Sequence, residues 1–177
     1  MKKAIFLSLI SLFVLQASLA QEKVFPIIEG YGAIEVIPFE VEKVDTSISY
    51  KILTEMYYSS DKKDEVYGLL DYSARMVNAF AYAGIPSEKV DMAMVIFSGA
   101  MFTVLSHEEY QKRFGMDNPN LEVIQKLTEA GVKIYVCGQS MMKQNLTPEL
   151  IQPGLTIASS RIVATAELLH KGYLLMN

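Results

Sequence analysis

Apolar residues recur along the chain in short runs, and glycine, proline, serine or asparagine residues mark many of the boundaries between predicted elements. Five of these runs have the length and the composition of β-strands. The run at 90–97 is apolar almost without interruption at its end, as is typical of a strand that is covered on both faces. The predicted strands are 45–56, 90–97, 132–136, 155–158 and 173–176.

Helical periodicity fills the segments between these strands. Apolar residues three and four positions apart predict a helix over 64–83, which Gly84 and Pro86 end. Ser106 and Glu109 form a capping-box pattern, and Asn118 and Ser159 are predicted N-caps. The predicted buried face of the last helix carries Ile162, Val163, Ala166 and Leu169. Further helices are predicted at 100–105, 106–114, 118–129 and 160–171, with a loop at 137–145 and a helical turn at 147–149.

The order of these elements determines the expected fold. Strands that alternate with helices predict a compact, doubly wound α/β domain with a mainly parallel five-stranded sheet and helices on both faces. This domain occupies 46–177, and the proline- and glycine-containing segment 21–45 is predicted to lie on it as an extended arm. No glycine-rich phosphate-binding motif follows the first predicted strand, so a nucleotide-binding protein is not indicated.

The N-terminus has the pattern of a secretory signal peptide over residues 1–20. Lys2 and Lys3 precede an apolar stretch, and Ser18 and Ala20 place small residues where a signal peptidase cleaves, before Gln21. The apolar stretch is shorter than the roughly 20 residues of a transmembrane helix, so no stable membrane insertion is expected after cleavage. The alternative is an uncleaved N-terminal anchor. The cleaved form predicts a protein secreted across the inner membrane, into a periplasm.

The charge of the chain narrows its range of partners. The formal net charge is −4, and it becomes −6 once Lys2 and Lys3 are removed with the signal peptide. An acidic chain without a basic run does not favour nucleic acid or anionic lipid as a partner.

The single cysteine, Cys137, directly follows the predicted strand 132–136. Ligands of open α/β sheets gather outside the carboxyl ends of the strands, so this position suits a reactive thiol. Gly138 is predicted to let the backbone turn sharply and to leave the sulfur accessible, while Ser140 and Lys143 would stabilise a thiolate. The same reasoning brings Ser98, Gly99 and Gln139 to this edge of the sheet. The alternative is a buried, inert cysteine that packs as a small hydrophobic residue.

Metal chemistry has little support in the sequence. His107 and His170 lie on separate predicted helices and form no metal-spaced pair. Met141 and Met142 beside Cys137 make a soft ligand set that would suit Cu(I), although methionines more often fill gaps in a core. No resident metal or cofactor is predicted.

Three segments resemble the DsrE/DsrF-like sulfur-relay family, in particular its exported members. They are Gly131 to Ser140 (GVKIYVCGQS), Phe114 to Asn120 (FGMDNPN), and the ending Gly172-Tyr173. The resemblance implies a doubly wound subunit that assembles as a homotrimer or homohexamer, with Cys137 carrying sulfur as a persulfide.

The chain departs from the family pattern at two places. Exported relatives often have a histidine where this chain has Ser98, and relay members often have Arg-Gly where it has Gln144-Asn145. The second departure removes a cation that would stabilise a thiolate or persulfide, although Asn145 can still adopt the left-handed conformation of a glycine.

Two hypotheses for function follow. The first is an exported persulfide carrier or thiol-active protein that uses Cys137 and exchanges sulfur with a donor and an acceptor. The second is a non-catalytic, oligomeric module of the cell envelope that binds a small ligand or a soft metal. Its pocket would lie near Ser98-Gly99 and Cys137-Ser140. The residues predicted to line that pocket or a subunit interface are Met101, Phe102, Met141 and Met142.

Overall fold

The computed structural model describes residues 21–176, so the predicted signal peptide lies outside the described residues. The described strands are β1 (Lys23–Val24), β2 (Ile34–Glu35), β3 (Tyr50–Met56), β4 (Val90–Ile96), β5 (Lys133–Cys137), β6 (Thr156–Ala158) and β7 (Leu174–Leu175). The described α-helices are α1 (Gly68–Tyr82), α2 (His107–Phe114), α3 (Leu121–Glu129), α4 (Gly138–Lys143) and α5 (Arg161–His170). Short 3₁₀ segments occupy Ser87–Lys89, Ser98–Val104 and Pro148–Leu150.

Five of the strands form one sheet in the order β6-β5-β4-β3-β7. Every neighbouring pair in it is parallel, so the predicted five-stranded α/β fold is confirmed, with a sheet that is parallel throughout. The chain builds outward from β3 to β6 and then returns to the other side of β3 with β7. Because crossovers between parallel strands are right-handed, this reversal places α5 on the opposite face from α1 and α3.

The two faces of the sheet differ greatly in the number of apolar side chains that are buried against them. On β4, Met92, Met94 and Ile96 join the large core under α1 and α3. Ala93 and Val95 point the other way, into a small cluster under α5. The carboxyl edge of the sheet is therefore flanked by a thick helical layer on one face and by one short helix on the other.

The buried side of α5 differs from the prediction. Ala164 and Leu168, four residues apart, pack against the sheet. The predicted face was wrong, because Ile162, Val163 and Leu169 are exposed. Apolar residues occur all around this helix, so its sequence does not fix which side meets the sheet.

The segment predicted to be an arm contains a small antiparallel ribbon of β1 and β2. Asn78, a fully buried residue of α1, fixes the turn between these strands. Its Oδ1 accepts hydrogen bonds from the amides of Ile27 and Ile28 at 2.9 and 2.7 Å. Its Nδ2 donates to the carbonyls of Ile28, Tyr31 and Gly32. One side chain thus joins the N-terminal residues to the domain.

Two predicted helix caps are wrong. Ser160, not Ser159, caps α5, and its Oγ accepts a hydrogen bond from the Val163 amide at 3.3 Å. Asn118 does not cap α3, which begins three residues later. Its buried amide instead donates to the carbonyls of Thr103 and Leu105, and it ties the segment before α3 to the 3₁₀ turn.

Half of the capping box predicted for α2 is observed: Ser106 Oγ accepts from the Glu109 amide at 3.2 Å, whereas the Ser106 amide donates to the Leu150 carbonyl and the Glu109 carboxylate pairs with Arg113. The largest local difference is at 137–145, where the predicted loop contains helix α4. Its sequence, GQSMMK, is too short to show a helical period. Within residues 21–176, no helix combines the length and the apolar character needed to cross a membrane.

Candidate functional site

Cys137 stands where three elements meet. It is the last residue of β5 and the N-cap residue of α4, and it lies opposite Ala158 of β6. Val136 points into the core under α1 and α3, so the alternation of the strand turns the Cys137 side chain toward α5. The first residue of α5, Arg161, lies directly against the sulfur.

Hydrogen-bond donors surround the Cys137 sulfur. The Arg161 amide donates to Sγ at 3.2 Å. The hydroxyl and amide of Ser140 and the amide of Gln139 lie close enough to the sulfur to lower the pKa of Cys137. Cys137 is only 2% exposed, so these groups, rather than water, solvate the sulfur. The predicted residues Gln139 and Ser140 are therefore brought to the thiol.

The electrostatic balance at the thiol favours the thiolate. Burial on its own raises the pKa of Cys137, because it penalises the charged form. The hydrogen bonds from Ser140, Arg161 and Gln139 oppose burial and outweigh it, so the pKa lies below its ordinary value of 9.0. A cysteine in apolar surroundings shows the reverse, a raised pKa. The direction of the pKa shift is thus the one expected for a thiol with hydrogen-bond donors around it.

Ser140 connects the thiol with the end of β4. The Ser98 amide donates to Ser140 Oγ at 3.0 Å, and the same hydroxyl helps to lower the pKa of Cys137. Gln144 Nε2 donates to the Ser98 carbonyl at 2.7 Å. These contacts hold Ser98 in the left-handed region at φ 52°, which a serine seldom adopts. Ser98 therefore acts on the thiol through Ser140.

The two predicted glycines are required by close backbone approaches. A Cβ at Gly99 would lie 2.6 Å from the Ser59 amide nitrogen. A Cβ at Gly138 would lie 2.9 Å from the Ala158 carbonyl oxygen. The expectation that Gly138 leaves the sulfur accessible is wrong, because Cys137 is buried; the missing side chain instead lets β6 come close to α4.

The structure does not bring Lys143, the predicted cation, to the thiol; the residue whose backbone amide bonds to the sulfur is Arg161. Lys143 is exposed at the far end of α4 from Cys137. Arg161, which the sequence reasoning missed, stands at the start of α5. Its guanidinium lies 4.9 Å from the centre of the Phe97 ring and 3.8 Å from a Glu55 carboxylate oxygen. Its position after the Ser159-Ser160 cap signal was the only available clue.

Two open grooves of about 440 Å³ flank the site. One lies between α4 and β6 and is lined in part by Gly138, Gln139 and Met142. The other lies beside Ser98 and Gly99, with Phe102 in its wall. Cys137 lines neither groove, so a reactant has to reach the sulfur through a local opening.

Of the residues predicted to line a pocket, Met101 is instead buried in the core. Met141, which is buried, and Met142, which is largely exposed, both line the groove between α4 and β6, as predicted. Within residues 21–176, no group of three or more histidine, cysteine, aspartate or glutamate side chains is placed to hold a metal ion.

Comparison with known proteins identifies the family of the chain. The model of the DsrE/DsrF-like family matches residues 62–177, which include every strand of the parallel sheet except β3. The chain belongs to the DsrE/DsrF-like family. No curated protein matches the chain significantly.

Two solved structures share the fold of this DsrE/DsrF-like chain. The protein of unknown function MTH1491 from Methanobacterium thermoautotrophicum superposes with a TM-score of 0.54 at 13% identity. The match covers 72% of this chain and 98% of that protein. The ychN protein from E. coli superposes with a TM-score of 0.50 at 16% identity, over 72% of this chain and 99% of its own. At these identities the likeness establishes the fold alone.

Proposed function

We propose that this DsrE/DsrF-like protein is an exported sulfur carrier that holds sulfane sulfur as a persulfide on Cys137. The observation that carries the proposal is the hydrogen bond from the Arg161 amide to Cys137 Sγ at 3.2 Å, at the start of α5. The N-terminus of a helix bears a partial positive charge that stabilises a thiolate. The same charge favours a persulfide anion.

The chemistry needs no cofactor from the protein. The Cys137 thiolate attacks the outer sulfur of a donor persulfide, R–S–SH, and forms a new S–S bond. The bond between the two donor sulfurs breaks, and R–S⁻ leaves with its electron pair. Transfer to an acceptor thiolate is the same exchange in reverse, so neither step requires an external oxidant or reductant.

Access to the sulfur requires a small opening at α5. The first turn of this helix covers Sγ. The helix is anchored to the sheet by the apolar side chains of Ala164 and Leu168 and by the contacts of Thr165 and Arg161 with Glu55 of β3. Because few buried apolar contacts hold this helix, its local opening should cost little free energy.

Export and assembly belong to the same proposal. Cleavage before Gln21 would release the carrier into the periplasm, where its donor and acceptor differ from those of a cytoplasmic relay. The exposed apolar residues Ile162, Val163 and Leu169 of α5 favour contacts between subunits in a trimer or hexamer. Mass determination of the exported protein tests the cleavage site, and light scattering tests the assembly.

The decisive experiment is intact-mass analysis of the folded mature protein before and after treatment with inorganic polysulfide. Iodoacetamide then traps any persulfide, and Cys137→Ser serves as the control. We expect a gain of one or more sulfur masses on the wild type alone. If no sulfur is added, and no alkylation occurs until the protein is denatured, Cys137 is a structural residue and the proposal fails.

A second candidate function is a non-catalytic binding module, favoured by the near-complete burial of Cys137 and by the two open grooves. In this case a small ligand occupies a groove and the thiol only supports α4. The Cys137→Ser variant would then retain ligand binding, except for a thiophilic metal. A titration of the wild type and this variant with Cu(I) under reducing conditions tests the metal form of this function.

A further inference from the structure

A separate cavity of about 190 Å³ lies between the end of β3 and α1, with Met176 at its rim. Its buried part is formed by Thr54, Met56, Ser73 and Met76. Its mouth is formed by partly exposed aromatic residues, of which Tyr58 and Tyr72 are the most open. Cys137 and its hydrogen-bond partners line no part of it.

The lining of this cavity includes Thr54, whose buried hydroxyl lacks a hydrogen-bond partner in the described part of the chain. The residue is 5% exposed, yet its Oγ1 has no hydrogen-bond partner among residues 21–176. A buried hydroxyl without a partner is costly, and such a group in a native structure calls for an explanation. Ser73, the neighbouring hydroxyl, donates to the Leu69 carbonyl at 2.8 Å and keeps its own acceptor capacity.

The lining also defines the rest of a suitable ligand. Within residues 21–176, no lysine, arginine or histidine lines the cavity, so an anion would be left unpaired. Glu55 also belongs to the lining, but its carboxylate already pairs with Arg161 and accepts a hydrogen bond from Thr165, so a cation is not favoured either. Tyrosine rings and the thioethers of Met56 and Met76 favour an aromatic ring, through offset stacking and sulfur–aromatic contacts. An apolar cavity of roughly 150 Å³ accommodates benzene, so 190 Å³ leaves room for one ring with a small substituent.

We infer that this cavity is a binding site for a small neutral aromatic molecule that carries one hydroxyl or carbonyl group. The ring lies between the methionines and the tyrosines. Thr54 Oγ1 is covered in the free protein, and a rotation of this side chain about χ1 turns it toward the oxygen of the ligand. The site is independent of Cys137, so the sulfur-carrier proposal and this one can fail separately.

Phenol and toluene are the matched probes, since they differ only in the polar group. Methionine-methyl ¹³C NMR of the mature protein follows the titration. We expect saturable shifts at Met56 and Met76 with phenol. Thr54→Val should weaken the binding of phenol by about 2- to 12-fold, which corresponds to the loss of one hydrogen bond. The affinity for toluene should stay unchanged. The substitution should also raise the melting temperature of the free protein, because it removes the unpartnered hydroxyl.

Two further variants serve as controls. Thr128→Val removes a hydroxyl on α3 that bonds within its own helix, and it should change neither affinity. Thr54→Ser retains the hydroxyl, and it should preserve the preference for phenol over toluene if the valine variant does not fold. The inference is overturned if phenol gives no saturable shift, or if Thr54→Val weakens both probes equally. A Met176 shift that depends on protein concentration instead of phenol would also overturn it, because a second copy would then cover the mouth.

Discussion

The amide of Arg161 donates to the sulfur of Cys137 at 3.2 Å, across 24 residues of chain. This contact joins the end of β5 to the start of α5. It places a backbone donor, which cannot be lost by side-chain rotation, on the one thiol of the protein. The remaining donors come from α4, so two helix N-termini converge on one sulfur.

Removal of the Ser140 hydroxyl should make the thiol less acidic. Ser140→Ala deletes the side-chain hydrogen bond that helps to lower the pKa of Cys137, while burial continues to raise it. We therefore expect the pH profile of iodoacetamide alkylation to shift to higher pH, with a slower rate at neutral pH. Ser159→Ala serves as the control, because it removes an exposed hydroxyl from the groove between α4 and β6. Equal profiles for wild type and Ser140→Ala would refute the role of Ser140.

The thiol should also make stability depend on pH. The folded state lowers the pKa of Cys137, so the native protein binds fewer protons than the unfolded chain in the window between the two values. The stability that the thiolate contributes is complete above the ordinary pKa of 9.0, which applies to the unfolded chain, and is lost as pH falls through the folded value.

Urea unfolding of wild type and Cys137→Ser at a series of pH values measures this difference. The free energy of unfolding of the wild type should rise, relative to the variant, as pH increases through the window. A difference that stays constant, or that falls, would mean that the folded protein does not favour the thiolate.

The parallel fold could be predicted from the sequence because its signals are local and repeated. Runs such as 90–97 have strand length, and glycines such as Gly84 end the helices between them. Because the strands alternate with helices along the chain, the strands are predicted to pair in parallel. The proximity of Ser98, Ser140 and Cys137 could also be predicted, because the carboxyl ends of adjacent parallel strands lie at one edge of the sheet.

Features that depend on how elements pack could not be predicted. α4 is six residues long and shows no period, and α5 is apolar on several sides. The contact of Arg161 with Cys137 depends on where α5 begins after β6, and no sequence spacing encodes that. The unpartnered Thr54 likewise becomes visible only when α1 is packed on the sheet.

Gly138 should tolerate no side chain. In Gly138→Ala the new Cβ would lie 2.9 Å from the Ala158 carbonyl oxygen, so β6 or α4 must shift. Such overpacking typically costs about 1–3 kcal/mol of unfolding free energy. Gly68→Ala is the matched control, since nothing lies within 4 Å of its Cβ, and at the start of α1 it should be neutral or stabilising by up to about 1 kcal/mol.

Chemical denaturation of both variants checks this expectation, and thiol alkylation reports on the site. A shift of β6 or α4 should also disturb the donors around Cys137, so Gly138→Ala should alter the alkylation rate and Gly68→Ala should not. If Gly138→Ala is as stable as the wild type, the close approach of β6 to α4 is not a real constraint.

Asn78 should control how the N-terminal residues are held. Its side chain makes five hydrogen bonds to the backbone of residues 27–32, and it is fully buried. Asn78→Ala leaves those backbone groups without partners, at about 1–3 kcal/mol for each one that stays buried, so we expect a loss of at least about 3 kcal/mol. Amide hydrogen exchange at Ile27 and Ile28 should accelerate more than exchange within β4.

Tyr82→Phe provides the control for Asn78→Ala, because it removes a hydroxyl that accepts from the Ile37 amide at the exposed end of the same segment. Its effect should stay within about 0.5 kcal/mol, as for most surface substitutions. If exchange in Asn78→Ala rises uniformly through β4 and α1, the N-terminal ribbon unfolds with the domain rather than before it. Protection of Ile27 and Ile28 that matches the wild type would instead show that the ribbon is held by other contacts, such as the burial of Ile28.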